Sequence, residues 1–349
     1  MKALVLREYG KFTYEEVPDP KIQPDEVLVE VKACGICGSD VHGMDGSTGR
    51  RIPPVIMGHE ASGVIVDRGS AVASAPGGGQ WPTGAPVTFD STVWCGECWY
   101  CRRGEINLCE NRRVLGVSCE DYRRDGAFAR YVAVPHRILY RIPDGVGFER
   151  AAMVEPLSIA FHAVRLARPQ VNDVALVVGA GMIGLLIVQV LKVAGCGRVV
   201  SADVDPAKLK RARESGADDA LDPQAPDFAG RIRDMTSGRG VDLSFEAVGV
   251  TAALQTALAS VRKGGRLTLV GNVAPKVDLA LQSVVTREVA LLGSCGSQGE
   301  YPACLDLIAS GRVNLDSLLS AKAPLSEGAS WFDRLHKREP GLMKVILQP

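Results

Sequence analysis

The hexapeptide Gly179-Ala180-Gly181-Met182-Ile183-Gly184 constrains the chain most. It follows an apolar, β-branched run, Val174 to Val178, and opens a second apolar run. A G-x-G-x-x-G motif alone is weak, but one that leaves a strand and starts a helix is a fingerprint for dinucleotide binding. Gly179 permits the tight turn, Gly181 lets backbone approach a pyrophosphate, and Gly184 lets the helix pack close to the sheet. The helix N-terminus then offers free N–H groups to phosphate.

The acidic residue this fingerprint requires is Asp203, 19 residues after Gly184. It suits the ribose hydroxyls and would repel a 2′-phosphate, so NAD is expected over NADP. Lys208 is either a cofactor contact that weakens this preference or a solvated helix lysine. Ile183 belongs to the same cofactor-binding turn.

Val174 to Leu191 is 18 residues with only Gln189 polar, just the length of a spanning helix. The glycines and the β-branched start favour a buried strand, a turn and a buried helix instead. Around it strands are expected at 174–178, 198–202, 219–221, 241–246, 266–270 and 289–293. Helices are expected at 182–194, 206–215, 226–236 and 251–262. That alternation predicts an α/β, doubly wound parallel sheet.

Residues before about 155 differ. Short strand-like runs (Glu26 to Ala33, Ala61 to Val66, Phe128 to Val134) alternate with Gly and Pro, as in Ala75-Pro76-Gly77-Gly78-Gly79. This predicts an irregular β-rich domain. The C-terminal stretch predicts a helix near 301–310 and a final apolar run, Lys344-Val345-Ile346-Leu347, returning to the first domain. The expected boundaries are 1–155, 156–295 and 296–349.

Lys+Arg and Asp+Glu both number 40, giving zero formal charge. Nothing in this balance favours a nucleic-acid or membrane partner. The N-terminus meets charge before an apolar signal core can form, so a cytoplasmic location is expected and the ten cysteines are read as metal ligands before disulfides.

Cys95, Cys98, Cys101 and Cys109 fall within 15 residues. Four thiolates close a tetrahedral shell around Zn²⁺ and leave no open position, so this site is expected to be structural, with Trp94 and Trp99 as shields. Earlier, Cys34-Gly35-Ile36-Cys37-Gly38-Ser39-Asp40-Val41-His42 is followed by Gly58-His59-Glu60. Thiolate, imidazole and carboxylate are the ligand types of an open zinc site. A C-x-x-C redox pair is the other reading, although it calls for a βαβ setting.

In order and spacing, C-G-I-C-G-S-D-V-H, G-H-E, the four-cysteine lobe, E-P-L at Glu155-Pro156-Leu157 and G-A-G-M-I-G resemble the zinc-containing medium-chain dehydrogenases, over nearly the whole chain. The likeness is greatest to the sorbitol (polyol) and threonine branch. It implies a GroES-like β-rich catalytic domain, split in sequence around a Rossmann domain. It implies a catalytic zinc on Cys37 and His59, with Glu60 as third ligand and Glu155 as alternating ligand or partner of bound water. It also implies that Asp40 orients His59, and that Ser39 and His42 relay a proton. The implied activity is reversible, NAD-linked oxidation of a secondary alcohol to a ketone, in a cytoplasmic homodimer or homotetramer with two zinc ions per chain. A threonine-type dehydrogenase acting on a β-hydroxy amino acid is the alternative, and a non-catalytic zinc-stabilised NAD-binding protein a remote one.

The chain departs from the polyol branch in three places. Gly43 and Met44 stand where an aromatic residue follows the relay histidine. Gly293-Ser294-Cys295-Gly296-Ser297 lacks the arginine that contacts polyol. Gly84-Ala85-Pro86-Val87 replaces a G-D-R-V pattern.

Overall fold

The computed structural model describes residues 1–74, 80–119 and 123–349. The glycine patch at 77–79 lies outside them. Two compact units emerge. The first holds Met1–Glu155, Tyr301–Gly311 and Leu318–Pro349, and the second holds Pro156–Glu300 and Arg312–Ser317.

In the first unit a long strand, Glu26–Gly35, organises the main sheet. Strand Glu60–Arg68 pairs along one edge, and the other edge is shared by Tyr131–Pro135 and the last strand, Lys344–Gln348. Val27, Val29 and Val31 are buried in the core, the period-two pattern of a strand with one apolar face. The register places Gly35 opposite Glu60 on one side and Ile346 on the other. The Phe128 to Val134 run is strand only from Tyr131. Before that, the amides of Gly126, Ala127 and Phe128 donate to carbonyls of Ile56, Gly58 and Met57. A Cβ on Gly126 would sit 2.2 Å from Gly58 O, so this close approach needs glycine.

The second unit is a six-stranded parallel sheet. Its order is Asp219–Leu221, Arg198–Ala202, Val174–Val178, Val241–Glu246, Val261–Leu269, Ala290–Gly293. In order of appearance that is 3-2-1-4-5-6, the doubly wound arrangement whose crevice lies where the order reverses. The apolar run 174–191 is a strand and then the helix Met182–Val193, whose residues from Gly184 to Leu191 are all buried. Burying each Leu, Ile or Val there contributes about 1.5–3 kcal/mol. Among the described residues, no helix is long and apolar enough to cross a membrane.

Candidate active site

Strand Glu26–Gly35 ends, the chain turns at Ile36 and Cys37, and a short helix, Gly38–Gly43, begins. A second turn delivers His59 and Glu60 to the start of the neighbouring strand. The donor atoms of Cys37, His59 and Glu60 come within 4.8 Å of one another. Cys34 lies outside this trio, buried in the strand, where burial pushes its thiol well above the ordinary value. Its setting is an antiparallel sheet, not the βαβ unit of a redox pair.

The trio is built for a cation. Glu60 is fully buried and its Oε1 has no hydrogen-bond partner. A buried carboxylate oxygen left unpaired is costly unless a ligand completes it. Burial opposes a charge on His59, yet the Asp40 carboxylate and Cys37 sulfur outweigh it and hold the imidazole well above its usual pKa. His59 Nδ1 faces Asp40 Oδ2 at 3.4 Å, which leaves Nε2 for a metal. An imidazole backed by a carboxylate is the arrangement that orients a metal-bound histidine.

Other side chains complete the surroundings. Ser39 is exposed, and its Oγ donates to Cys37 Sγ at 3.3 Å. His42, one turn along the same helix, is also exposed. Glu155, at the start of the helix Val154–Ala167, is buried but falls outside the trio. Its Oε1 accepts from Ser91 Oγ at 3.1 Å, and burial pushes its carboxyl up to about 7.

Two buried cations had no signal in the sequence. Lys344 Nζ contacts Glu60 Oε2 and donates to Ile36 O at 3.0 Å. Gly35 makes room for this pair, because a Cβ there would lie 2.2 Å from Glu60 Oε2. Arg51 donates to Asp40 Oδ1 from Nη2 at 2.8 Å and from Nε at 3.3 Å. Burial would raise the Asp40 pKa, but His59 and Arg51 hold it well below the usual carboxylate range.

The sulfur atoms of Cys95, Cys98, Cys101 and Cys109 form a second group within 4.8 Å. Backbone amides of Cys98 and Cys95 point at Cys95 Sγ (3.4 Å) and Cys109 Sγ (3.3 Å). Burial alone would raise Cys95, but the amides of Glu97 and Cys98 outweigh it and bring the thiol to about 6. Such a thiol is readily a thiolate, the form that binds metal. Trp94 is partly buried against the core, whereas Trp99 is exposed, with the Arg103 guanidinium 4.4 Å above its ring. Trp99 is therefore no shield.

In the second unit the three motif glycines differ in what they touch. Gly179 has φ +102°, and a Cβ there would meet Val248 Cγ2 at 2.6 Å. On Gly184 it would fall 1.8 Å from Gly179 O, while on Gly181 it would meet nothing within 4 Å. Close packing thus explains the outer two, and Gly181 keeps open space. No side chain caps the helix Met182–Val193, so its N-terminus is free for an anion. Ile183 is half-buried in its first turn. Asp203 Oδ2 accepts from Ala180 N at 2.8 Å, which ties the acidic residue to the glycine turn. Lys208 Nζ lies 3.8 Å from the same oxygen.

Residues 23–144 match the alcohol dehydrogenase GroES-like domain, and residues 183–310 match the zinc-binding dehydrogenase family. The chain belongs to the zinc-binding medium-chain dehydrogenases. Its first unit is the GroES-like part and its second is Rossmann-like. It is 33% identical to a sorbitol dehydrogenase of Bacillus subtilis, over all of this chain and 97% of that protein. It is also 33% identical to a D-arabitol-phosphate dehydrogenase of Enterococcus avium, covering 97% of this chain and 94% of the relative. A solved structure from Sinorhizobium meliloti 1021, a zinc-binding dehydrogenase by description and bound to NADP, has a TM-score of 0.88 at 32% identity, covering 100% and 99% of the two chains. The family acts on alcohols and polyols with zinc and with NAD or NADP.

Proposed function

We propose that this dehydrogenase catalyses the reversible, NAD-linked oxidation of a secondary alcohol (a polyol, a polyol phosphate or a related compound) to the ketone. The observation that carries this reading is the trio of Cys37, His59 and Glu60, with the unpaired, buried Glu60 Oε1. When bound there, zinc supplies a Lewis acid that polarises the alcohol oxygen and eases loss of its proton.

The chain does the rest. Cys37, His59 and Glu60 hold the metal, and Asp40 fixes the imidazole. Glu155, held by Ser91, stands back as the alternating ligand. Ser39 Oγ takes the hydroxyl proton, and exposed His42 passes it to water. NAD⁺, when bound, would supply the hydride acceptor, so that one alcohol would yield a ketone, NADH and a proton. Gly179, Gly181, Ile183 and Gly184 cradle the pyrophosphate. Asp203 takes the ribose hydroxyls and disfavours a 2′-phosphate, with Lys208 as the group that softens the preference. The four-cysteine lobe holds the second, structural zinc.

The edge strand Ala290–Gly293, together with exposed Val273, Leu281 and Val285, supports a homo-oligomer. The test is NADH formation at 340 nm across secondary alcohols, polyols, polyol phosphates and L-threonine, with zinc measured on the same sample. Turnover on L-threonine alone would overturn the polyol reading.

A further inference from the structure

The missing aromatic after the relay histidine has a structural counterpart. A Cβ on Gly43 would lie 2.5 Å from Arg51 Cγ and 3.4 Å from Arg51 Cβ. The aliphatic stem of Arg51 thus occupies the space a side chain at position 43 would need. Arg51 is only 3% exposed, and its guanidinium does two things at once. It holds Asp40 Oδ1, while Asp40 Oδ2 faces His59. Its Nη2 also donates to Ser39 Oγ at 3.4 Å, and Ser39 Oγ donates to Cys37 Sγ.

We propose that Arg51 is a positioning residue for the catalytic zinc site, and that position 43 is glycine so that Arg51 can reach it. The inference rests on the reading of Cys37, His59 and Glu60 as zinc ligands. One fixed cation stands behind both the carboxylate that orients His59 and the hydroxyl that contacts Cys37. A guanidinium suits this place because it is planar, permanently charged and weakly hydrated, and can serve two acceptors. Without it, fully buried Asp40 loses its guanidinium partner at 2.8 Å, and Ser39 loses a donor. Changing the groups behind a metal-bound histidine typically costs about 10–100-fold in metal affinity or activity.

The test uses the full chain and its Arg51→Met, Arg51→Lys and Gly43→Ala variants. Zinc affinity is read by competition with a chelator, beside kcat and KM for NAD. In Arg51→Met one of the two zinc ions binds about tenfold or more weakly. The other zinc is unchanged, kcat falls and KM for NAD stays. Arg51→Lys keeps the charge and recovers part of the loss. Gly43→Ala sits on helical backbone but strikes Arg51, so it weakens the same zinc ion. Added to Arg51→Met, it costs little more zinc affinity, because the guanidinium it would displace is already gone.

Unchanged zinc affinities and kcat in Arg51→Met and Gly43→Ala, with only the melting temperature altered, would overturn the inference and leave Arg51 as a plain charge partner of Asp40. If Arg51→Met fails to fold, Arg51→Lys and Gly43→Ala decide by the same readout. If the unaltered chain binds a single zinc, the reading of the catalytic site fails first and takes this inference with it.

Discussion

Lys344 Nζ lies 2.5 Å from Glu60 Oε2, and both side chains are buried. Lys344 starts the last strand of the chain, yet it compensates a carboxylate 284 residues earlier. Burial would lower the Lys344 pKa, but Glu60 and Cys37 outweigh it and raise it, so the lysine stays charged. Breaking a buried pair by removing one partner costs about 3–5 kcal/mol, because the other charge is left uncompensated. Lys344→Met should therefore lose about that much stability in metal-free protein. Denaturant unfolding with and without zinc checks it, and zinc should restore part of the loss by pairing with Glu60.

The four-cysteine lobe should matter for stability rather than chemistry. Replacing Cys95 by serine should release one zinc per chain and leave the other. A closed zinc site contributes folding energy outright. A loss of about 2 kcal/mol would lower the melting temperature by about 4–8 °C in a domain of this size. Calorimetry with metal analysis on the same sample reads both effects.

Gly181 separates folding from cofactor binding. A Cβ there meets no protein atom within 4 Å, so Gly181→Ala should fold and melt like the unaltered chain. It should bind NAD about tenfold more weakly, the effect of displacing one charge-assisted hydrogen bond worth ~1.5 kcal/mol. Gly184→Ala should instead fail to fold normally, because its Cβ would strike Gly179 O. Equal NAD affinity in Gly181→Ala would move the pyrophosphate elsewhere.

Asp242 gives a pH dependence. Its carboxylate accepts from Val174 N at 2.9 Å and from Arg262 Nε at 2.6 Å, joining the beginnings of three sheet strands. Burial raises its pKa, but the Val174 amide and Arg262 outweigh this and lower it from 3.8. The folded value lies below the unfolded one, so the carboxylate stabilises above about pH 4, and that contribution is lost as pH falls through the folded pKa. Asp242→Asn should melt lower than the unaltered chain at pH 7, and the gap should narrow in acid. Thermal melts at several pH values test this; a gap that widens in acid would reverse the sign.

The dinucleotide sheet was legible because its signals are local. The strands at 174–178, 198–202, 219–221 and 241–246 fall where apolar runs and turn residues put them. The Val261–Leu269 strand starts five residues earlier than its apolar core suggests, since Lys263, Gly264 and Gly265 carry no strand signature. The trio and the four-cysteine lobe were legible because residue type and spacing together carry metal chemistry. Lys344 and Arg51 were not. A lysine heading an apolar run and an arginine in a polar loop look solvated until distant partners are known. Gly43 read as a missing aromatic, when its meaning is the room it leaves for Arg51.

The most direct test of the catalytic zinc site compares the unaltered chain with His59→Ala in one experiment. Zinc is counted per chain, and NADH formation is followed at 340 nm with a secondary polyol that the unaltered enzyme oxidises. Two zinc ions and turnover are expected in the first, and one zinc ion and no turnover in the second. Retention of both zinc ions by His59→Ala, or equal NADH formation by the two proteins, would contradict this expectation.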